Sequence, residues 1–298
     1  MDTLSVSHLY KSYDSQEAVK DITFSLKAGE ILGLIGPNGA GKSTTIKMIL
    51  DFMKPDSGEI RLFGSSMTEE IKNRIGYLPE SKGLYKDLSA MECILYLASL
   101  KGMDKTSAKE KAAHLLQQAG MLESSKKKIK HMSKGMGQMI QFIVTIIHDP
   151  DLLIMDEPFS GLDPVNAELM KTMISGMRDK GRSIILSTHQ MNQVEELGDR
   201  VLMINHGEEV LYGDLKQIKE RYRKHSVQVS VEGEIGELEG VTEKRVMNEG
   251  LELMLSEDTS PQAVLDQLRA QGSVINRFEI TTPSLHSIFL NEVGGNHE

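Results

Sequence analysis

Residues 36–43 read Gly-Pro-Asn-Gly-Ala-Gly-Lys-Ser and fit the phosphate-loop pattern GxxxxGK[ST]. The chemistry such a loop serves is the binding of a nucleotide's phosphates. Glycines admit backbone angles that other residues resist, so successive N–H groups can point into one cavity. The stretch after the loop is helical in pattern, and a helix N-terminus adds partial positive charge that favours phosphate. Gly36, Pro37, Asn38, Gly39, Ala40, Gly41 and Thr44 would therefore surround the phosphates. Lys42 would reach the β- and γ-phosphates, and Ser43 would offer its hydroxyl to Mg2+.

Two further segments carry reactive groups. Asp151-Leu-Leu-Ile-Met-Asp-Glu157 is an apolar run that ends in two carboxylates. Charge is costly to bury unpaired, so such an ending calls for a positive partner. Asp156 is suited to hold Mg2+, directly or through water, and Glu157 to activate or orient an attacking water. Ser183–Ser187 is another apolar run, followed by Thr188 and His189. Of the nine histidines, His189 stands apart because it would end a strand on the same edge as Ser43 and Asp156. There it could hydrogen-bond a γ-phosphate. The others, such as His8, His114, His131 and His148, read as structural or merely exposed.

The elements that must position these groups alternate in type. Ile31–Ile35, Leu152–Met155 and Ser183–Ser187 suit strands buried on both faces of a parallel sheet. Between them lie helical patterns at 42–51, 89–100, 107–119, 135–148 and 165–180. Strand-then-helix alternation indicates an α/β domain, whose ligands sit at the carboxyl ends of its strands. Ser5–Tyr10 and Val19–Leu26 look like antiparallel strands added beside that sheet. The character changes near residue 222, where polar Arg221–His225 reads as a linker. Beyond it, Ser226–Glu232, Gly250–Ser256 and Ser273–Thr281 read as strands. Ser260–Gln271, opened by Ser-Pro, and Pro283–Asn291 read as helices. This gives one large domain, 1–222, and a small α+β appendage, 223–298, without a chemical motif.

Composition narrows the function classes. The formal net charge is −9, which argues against a general nucleic-acid binder. The basic run Lys126, Lys127, Lys128 and Lys130 reads as a solvated turn. A single cysteine, Cys93, allows no intrachain disulfide and reads as a small apolar residue in a helix. MDTLSVSHLYKSY lacks the charged start and apolar stretch of a signal peptide, and no run approaches the roughly 18 apolar residues of a membrane span. The chain reads as soluble, so any membrane pathway would belong to another chain.

Three more segments resemble one family. Met132-Ser-Lys-Gly-Met136 resembles the LSGGQ signature of the ATP-binding-cassette (ABC) ATPases, Ser160-Gly-Leu-Asp163 their D-loop, and Ser187-Thr-His189 their switch-histidine segment. The resemblance covers residues 1 to about 222. It implies a P-loop NTPase domain with an antiparallel β subdomain and a helical subdomain, plus the small C-terminal α+β domain. It also implies an ATPase, with ATP and Mg2+, that works as a head-to-tail homodimer or heterodimer. Tyr13 would stack on adenine, with Tyr10 close by; Ser133 and Gly135 would reach the partner's γ-phosphate; Asp163 would help join the two halves. Glu80 falls where most members carry glutamine and would accept from metal-bound water. Lys134 and Met136 replace a glycine and a glutamine of the signature.

Tyr77-Leu-Pro-Glu80, Gly83-Leu-Tyr85 and Pro283-Ser-Leu-His-Ser-Ile-Phe-Leu290 resemble the ATPases of bacterial sodium-efflux and drug-resistance exporters of the ABC-2 type. That branch implies an integral membrane permease as partner and a place on the cytoplasmic face of a bacterial membrane. No nucleic acid is expected. Two alternatives carry the same motifs: a soluble ABC protein of translation or repair, and a regulatory module that binds ATP but scarcely hydrolyses it. One cassette, and no sustained heptads in the stretch 44–131, disfavour the first. The altered residues 80, 134 and 136 leave the second open.

Overall fold

A computed structural model describes residues 2–14, 16–81, 83–223, 226–233, 235–247, 250–256, 258–281 and 283–294. Its contacts divide it into two units, 1–212 and 213–298.

The first unit opens with β1 (Asp2–Tyr13), β2 (Gln16–Lys27), β3 (Ile31–Ile35), α1 (Lys42–Ile49), β4 (Ser57–Leu62), α2 (Glu69–Asn73) and β5 (Ile75–Leu78). A helical section follows, with α3 (Ala90–Leu100), α4 (Lys105–Gln118) and α5 (Lys134–Ile146). The chain then returns through β6 (Leu152–Asp156), α6 (Pro164–Asp179), β7 (Ser183–Thr188), α7 (Met191–Leu197), β8 (Arg200–Asn205) and β9 (Glu208–Asp214). Strands β2-β1-β4 form an antiparallel sheet, and β5-β6-β7-β3-β8-β9 form a second.

Register in the second sheet decides where the chemistry meets. Strands β5, β6, β7, β3 and β8 run parallel. Ile35 lies opposite Thr188, and Asp156 opposite Ser187, so β3, β6 and β7 end on one edge. Each of these three is buried along its whole length, which is why their sequences are near-continuous apolar runs. Leu32, Leu34, Ile46, Ile49, Ile154, Ile185 and Leu202 share the core between the sheets and α1. Helix α7 lies so close to β3 that a Cβ on Gly33 would sit 2.2 Å from Val194 Cγ1.

Helix starts follow local chemistry. Ser89 and Glu92 form a reciprocal capping box at α3, and Asp104 accepts from the N–H groups of Thr106 and Ser107 at α4. That cap starts α4 two residues ahead of the sequence expectation. Cys93 is buried in α3, as its apolar reading requires, and burial pushes its thiol pKa up. Lys126, Lys127, Lys128 and Lys130 are exposed, with Lys130 Nζ 2.8 Å from Asp87 Oδ1.

The second unit holds α8 (Leu215–Arg223), β10 (Ser226–Glu232), β11 (Val241–Met247), β12 (Gly250–Leu255), α9 (Pro261–Ala270), β13 (Val274–Ile280) and α10 (Leu285–Gly294). Its sheet has the order β11-β12-β10-β13, and Val227, Val229, Leu253, Leu255, Val264 and Leu268 form a core of its own. The linker reading of 221–225 needs correction. Residues 221–223 complete α8, whose Leu215 and Ile218 are buried one turn apart; residues 224 and 225 lie outside the described ones. The division by contacts also falls ten residues ahead of the composition change, because it assigns α8 to the second unit. Strands β4, β5, β8, β9 and β11 are absent from the sequence expectations, and β11 shows one reason. It is an edge strand with exposed and charged side chains, so its alternation is masked.

Candidate functional site

Between β3 and α1 the backbone turns through glycine-only angles. Gly36 has φ 155° and Gly41 φ 109°. A Cβ on Gly36 would lie 2.1 Å from the carbonyl oxygen of Ile204, and one on Gly41 2.4 Å from that of Ala18. Both positions thus exclude a side chain by angle and by space. Gly39 has nothing within 4 Å of a built Cβ and faces open space. Lys42 is 7% exposed, and its Nζ donates to the carbonyls of Gly36 at 2.7 Å and Pro37 at 3.0 Å. Burial pushes its pKa down, while the charges of Glu157, Asp156 and Glu80 act against that shift.

Opposite this loop stand the acids. Asp156 is buried at the end of β6, and both its oxygens are engaged. Ser43 Oγ donates to Oδ2 at 3.0 Å, and Ser187 Oγ to Oδ1 at 2.8 Å. Glu157 follows in the left-handed region, with φ 50°, a costly angle for a non-glycine residue that is held by its neighbours. Its N–H donates to Ser187 O at 2.9 Å. Its Oε1 accepts from His189 N at 2.9 Å and lies 2.6 Å from His189 Nδ1; Thr188 Oγ1 is 3.2 Å from Oε2. A carboxylate only accepts, so Nδ1 carries the ring proton in this pair. Thr188 Oγ1 also lies 2.9 Å from Gln193 Oε1, so its single proton serves one of two acceptors.

These groups line one cleft of about 470 Å³. Its walls are Ala18, residues 38–44, Glu80, Asp156, Glu157, Ser160 and His189. Gly36 and Pro37 take part through their carbonyls on Lys42. The oxygen set suits Mg2+. Ser43 and Asp156 meet at 3.0 Å, and no group of three or more His, Cys, Asp or Glu able to hold a metal occurs among the described residues. Mg2+ ordinarily takes one or two protein oxygens and completes its shell with phosphates and water, which this pair permits.

Four expected residues lie elsewhere. Tyr13 ends β1, is 43% exposed, and points its hydroxyl to Met53 Sδ at 3.0 Å. Ser133 caps α5, accepting from Met136 N at 3.2 Å. A Cβ on Gly135 would lie 3.6 Å from Gly161 O and 3.9 Å from Asp163 Oδ2, so the signature abuts the 161–163 turn of its own chain. Lys134 lies across Gly161. Asp163 caps α6, taking the N–H of Asn166 at 3.1 Å and its side-chain amide at 2.6 Å; those bonds hold its carboxyl below the usual range. None of the four lines the phosphate cleft.

The sequence reading names Ser160 and Ser187 only as members of their motifs, without the cleft wall or the bond to Asp156, and misses Ala18 on that wall and the glutamines Gln138 and Gln141 of α5. Two amides inside an otherwise apolar helical stretch are the signal that could find the last pair.

Comparisons with known proteins bear on the whole chain. A family profile described as ABC transporter matches residues 19–160. The uncharacterized ABC transporter ATP-binding protein YhaQ of Bacillus subtilis (strain 168) is 37% identical, over 99% of this chain and 100% of that protein. The chain belongs to the ABC transporter ATP-binding proteins. A second profile, ATP-binding protein DrrA1-3-like C-terminal domain, matches residues 213–293 and gives this ABC protein its extra domain. The linearmycin resistance ATP-binding protein LnrL of the same organism is 34% identical over 98% of each chain. A solved structure of the ATP binding subunit of an ABC transporter superposes with TM-score 0.69 and 31% identity, covering 74% of this chain and 93% of that one. The sheets and helices of the first unit are therefore the ABC ATPase fold, a domain that binds ATP.

Proposed function

We propose that this ABC protein is the ATP-hydrolysing subunit of an exporter, driving efflux through a separate integral membrane permease of the ABC-2 type. The observation that carries ATP hydrolysis is the held position of Glu157. It stands one residue past Asp156, at a strained backbone angle, bonded to His189 and Thr188, on the wall that faces Lys42 and Ser43. The exporter reading is supported by the C-terminal profile and by the resistance function in the name of LnrL. The cargo we propose is a drug-like compound or sodium ions.

ATP is the substrate, with water as co-reactant and ADP and phosphate as products. The N–H groups of the phosphate loop and the Lys42 ammonium bind the phosphates and neutralise their charge. Ser43, Asp156 and Glu80 would hold Mg2+, which supplies further neutralisation of the β- and γ-oxygens when bound. Glu157 takes the proton of the attacking water, and His189 fixes the orientation of its carboxylate. His189 also senses the γ-phosphate, a contact in which the ring carries both protons, Nδ1–H toward Glu157 and Nε2–H toward the phosphate. Tyr13 stacks on adenine. Ser133 and Gly135, outside their own cleft, complete the partner's site across a head-to-tail dimer, and Asp163 steadies that join. ATP then links two protomers, and hydrolysis frees them.

No described helix is long and apolar enough to cross a membrane, so the transport pathway falls to the permease, which would hold this chain at the cytoplasmic face. The test is to purify the tagged chain from gently solubilised membranes of its own cells and identify its companions by mass spectrometry. A polytopic membrane protein in near-equal amount is expected. Soluble partners or ribosomes alone would overturn the exporter reading and favour a soluble ABC ATPase.

A further inference from the structure

Helix α5 starts at the signature and carries polar side chains at Gln138, Gln141 and Thr145. Steps of three and four place them on one face. They are buried, at 2%, 5% and 6% exposure. Gln138 Nε2 donates to Pro158 O at 3.0 Å, one residue past Glu157. Gln141 Nε2 donates to Pro79 O at 3.3 Å and Ser81 O at 3.2 Å, the two carbonyls on either side of Glu80. One helix face therefore reaches the backbone beside both carboxylates that the ATPase reading uses.

The Gln141 amide has only one sensible orientation, because its oxygen turned the other way would meet two carbonyl oxygens. In that orientation Oε1 is buried with no hydrogen-bond partner among the described residues. An unsatisfied buried acceptor opposes folding, and an aliphatic side chain of similar volume would avoid it. Packing alone does not call for an amide here. Holding the loop does, since Glu80 itself is exposed on the cleft wall and its position depends on the backbone around it.

We infer that Gln141 is a positioning residue for Glu80. Its amide clamps the Pro79–Ser81 backbone to the signature helix and keeps the Glu80 carboxylate on the phosphate cleft. Two parts of α5 then serve different nucleotides: its N-terminus the partner's, Gln141 at its middle the chain's own. This rests on the ATPase reading.

The test compares wild type, Gln141→Leu, Glu80→Ala and the double variant of the full chain. Without nucleotide or metal, hydrogen exchange in a peptide spanning 77–84 should speed about tenfold in Gln141→Leu, with no change over β6. In steady-state hydrolysis, Gln141→Leu should lower kcat about tenfold and raise the half-saturating Mg2+ concentration, with nucleotide affinity within about twofold of wild type. In the Glu80→Ala background the same substitution should change kcat less than about twofold, because the group it positions is gone. Additive losses, or unchanged exchange over 77–84, would overturn the inference while leaving the ATPase reading intact. A wild type that turns over no ATP would sink both. Should Gln141→Leu not fold, Gln141→Met, of similar length and also without an N–H, carries the same expectations.

Discussion

The Lys42 ammonium is nearly buried and spends its hydrogen bonds on the Gly36 and Pro37 carbonyls, facing three carboxylates across the cleft. A triphosphate would give it an anion in direct contact, where its present bonds go to carbonyls. Lys42→Ala should therefore weaken ATP binding by about a hundredfold or more, read by calorimetric titration; unchanged affinity would contradict the phosphate-loop account. His148 gives a pH prediction. Its Nε2 lies 3.1 Å from Ile75 O, Nδ1 has no hydrogen-bond partner among the described residues, and burial, with Lys101 nearby, pushes its pKa down to about 4. The unfolded chain takes up that proton near 6.5. The contribution to stability is thus full above about 6.5 and is lost as pH falls toward 4. Urea unfolding of the first unit should show about 2 kcal/mol less stability at pH 5 than at pH 7 from this group. His148→Gln should flatten that slope, and an equally steep slope in the variant would refute the assignment.

What could be read from single residues follows from how chemistry is written in sequence. Lys42, Ser43, Asp156 and Glu157 are legible because phosphate and metal chemistry demands their types at fixed offsets from a strand end. Ser187 and Gln141 are not, because a hydroxyl or amide on a buried element acts through a partner distant in the chain. Tyr13 shows a third case: its place at the end of β1 is local, but what its exposed ring meets is not written nearby.

At the scale of elements, β3 shows why the site edge is rigid. It is buried on every residue and flanked by β7 and β8. Gly33 lets α7 pack directly on it, with Val194 fully buried above. Gly33→Ala should cost roughly 1–3 kcal/mol through overpacking, and Val194→Ala should recover part of that loss in the double variant. A denaturation midpoint within error of wild type would show that α7 shifts freely. Pattern finds β3, β6 and β7, since burial on both faces leaves unbroken apolar runs, but not the short β5 or the buried β8. Edge strand β11 and helix α8 escape it too. Three consecutive charged residues, Glu243, Lys244 and Arg245, interrupt the first, and the second hides two buried side chains in a polar stretch.

Over the whole molecule, the chain joins an ABC ATPase unit to a small domain with its own core, and the family profiles fall on the two in that order. The sequence makes the first unit plain because its function is written in motifs. The second is readable only as strands and helices, because a stretch without a recognisable chemical motif leaves only packing to read. The proposed cycle needs ATP held by two chains at once, since Ser133 and Gly135 lie away from their own cleft. Its most direct test is the mass in solution of Glu157→Gln, with and without ATP and Mg2+, by light scattering. Glu157→Gln should form a stable dimer only with ATP, because binding is intact and the water activator is lost, while wild type returns to monomer as it hydrolyses. A Glu157→Gln chain that binds ATP yet stays monomeric would contradict the composite site.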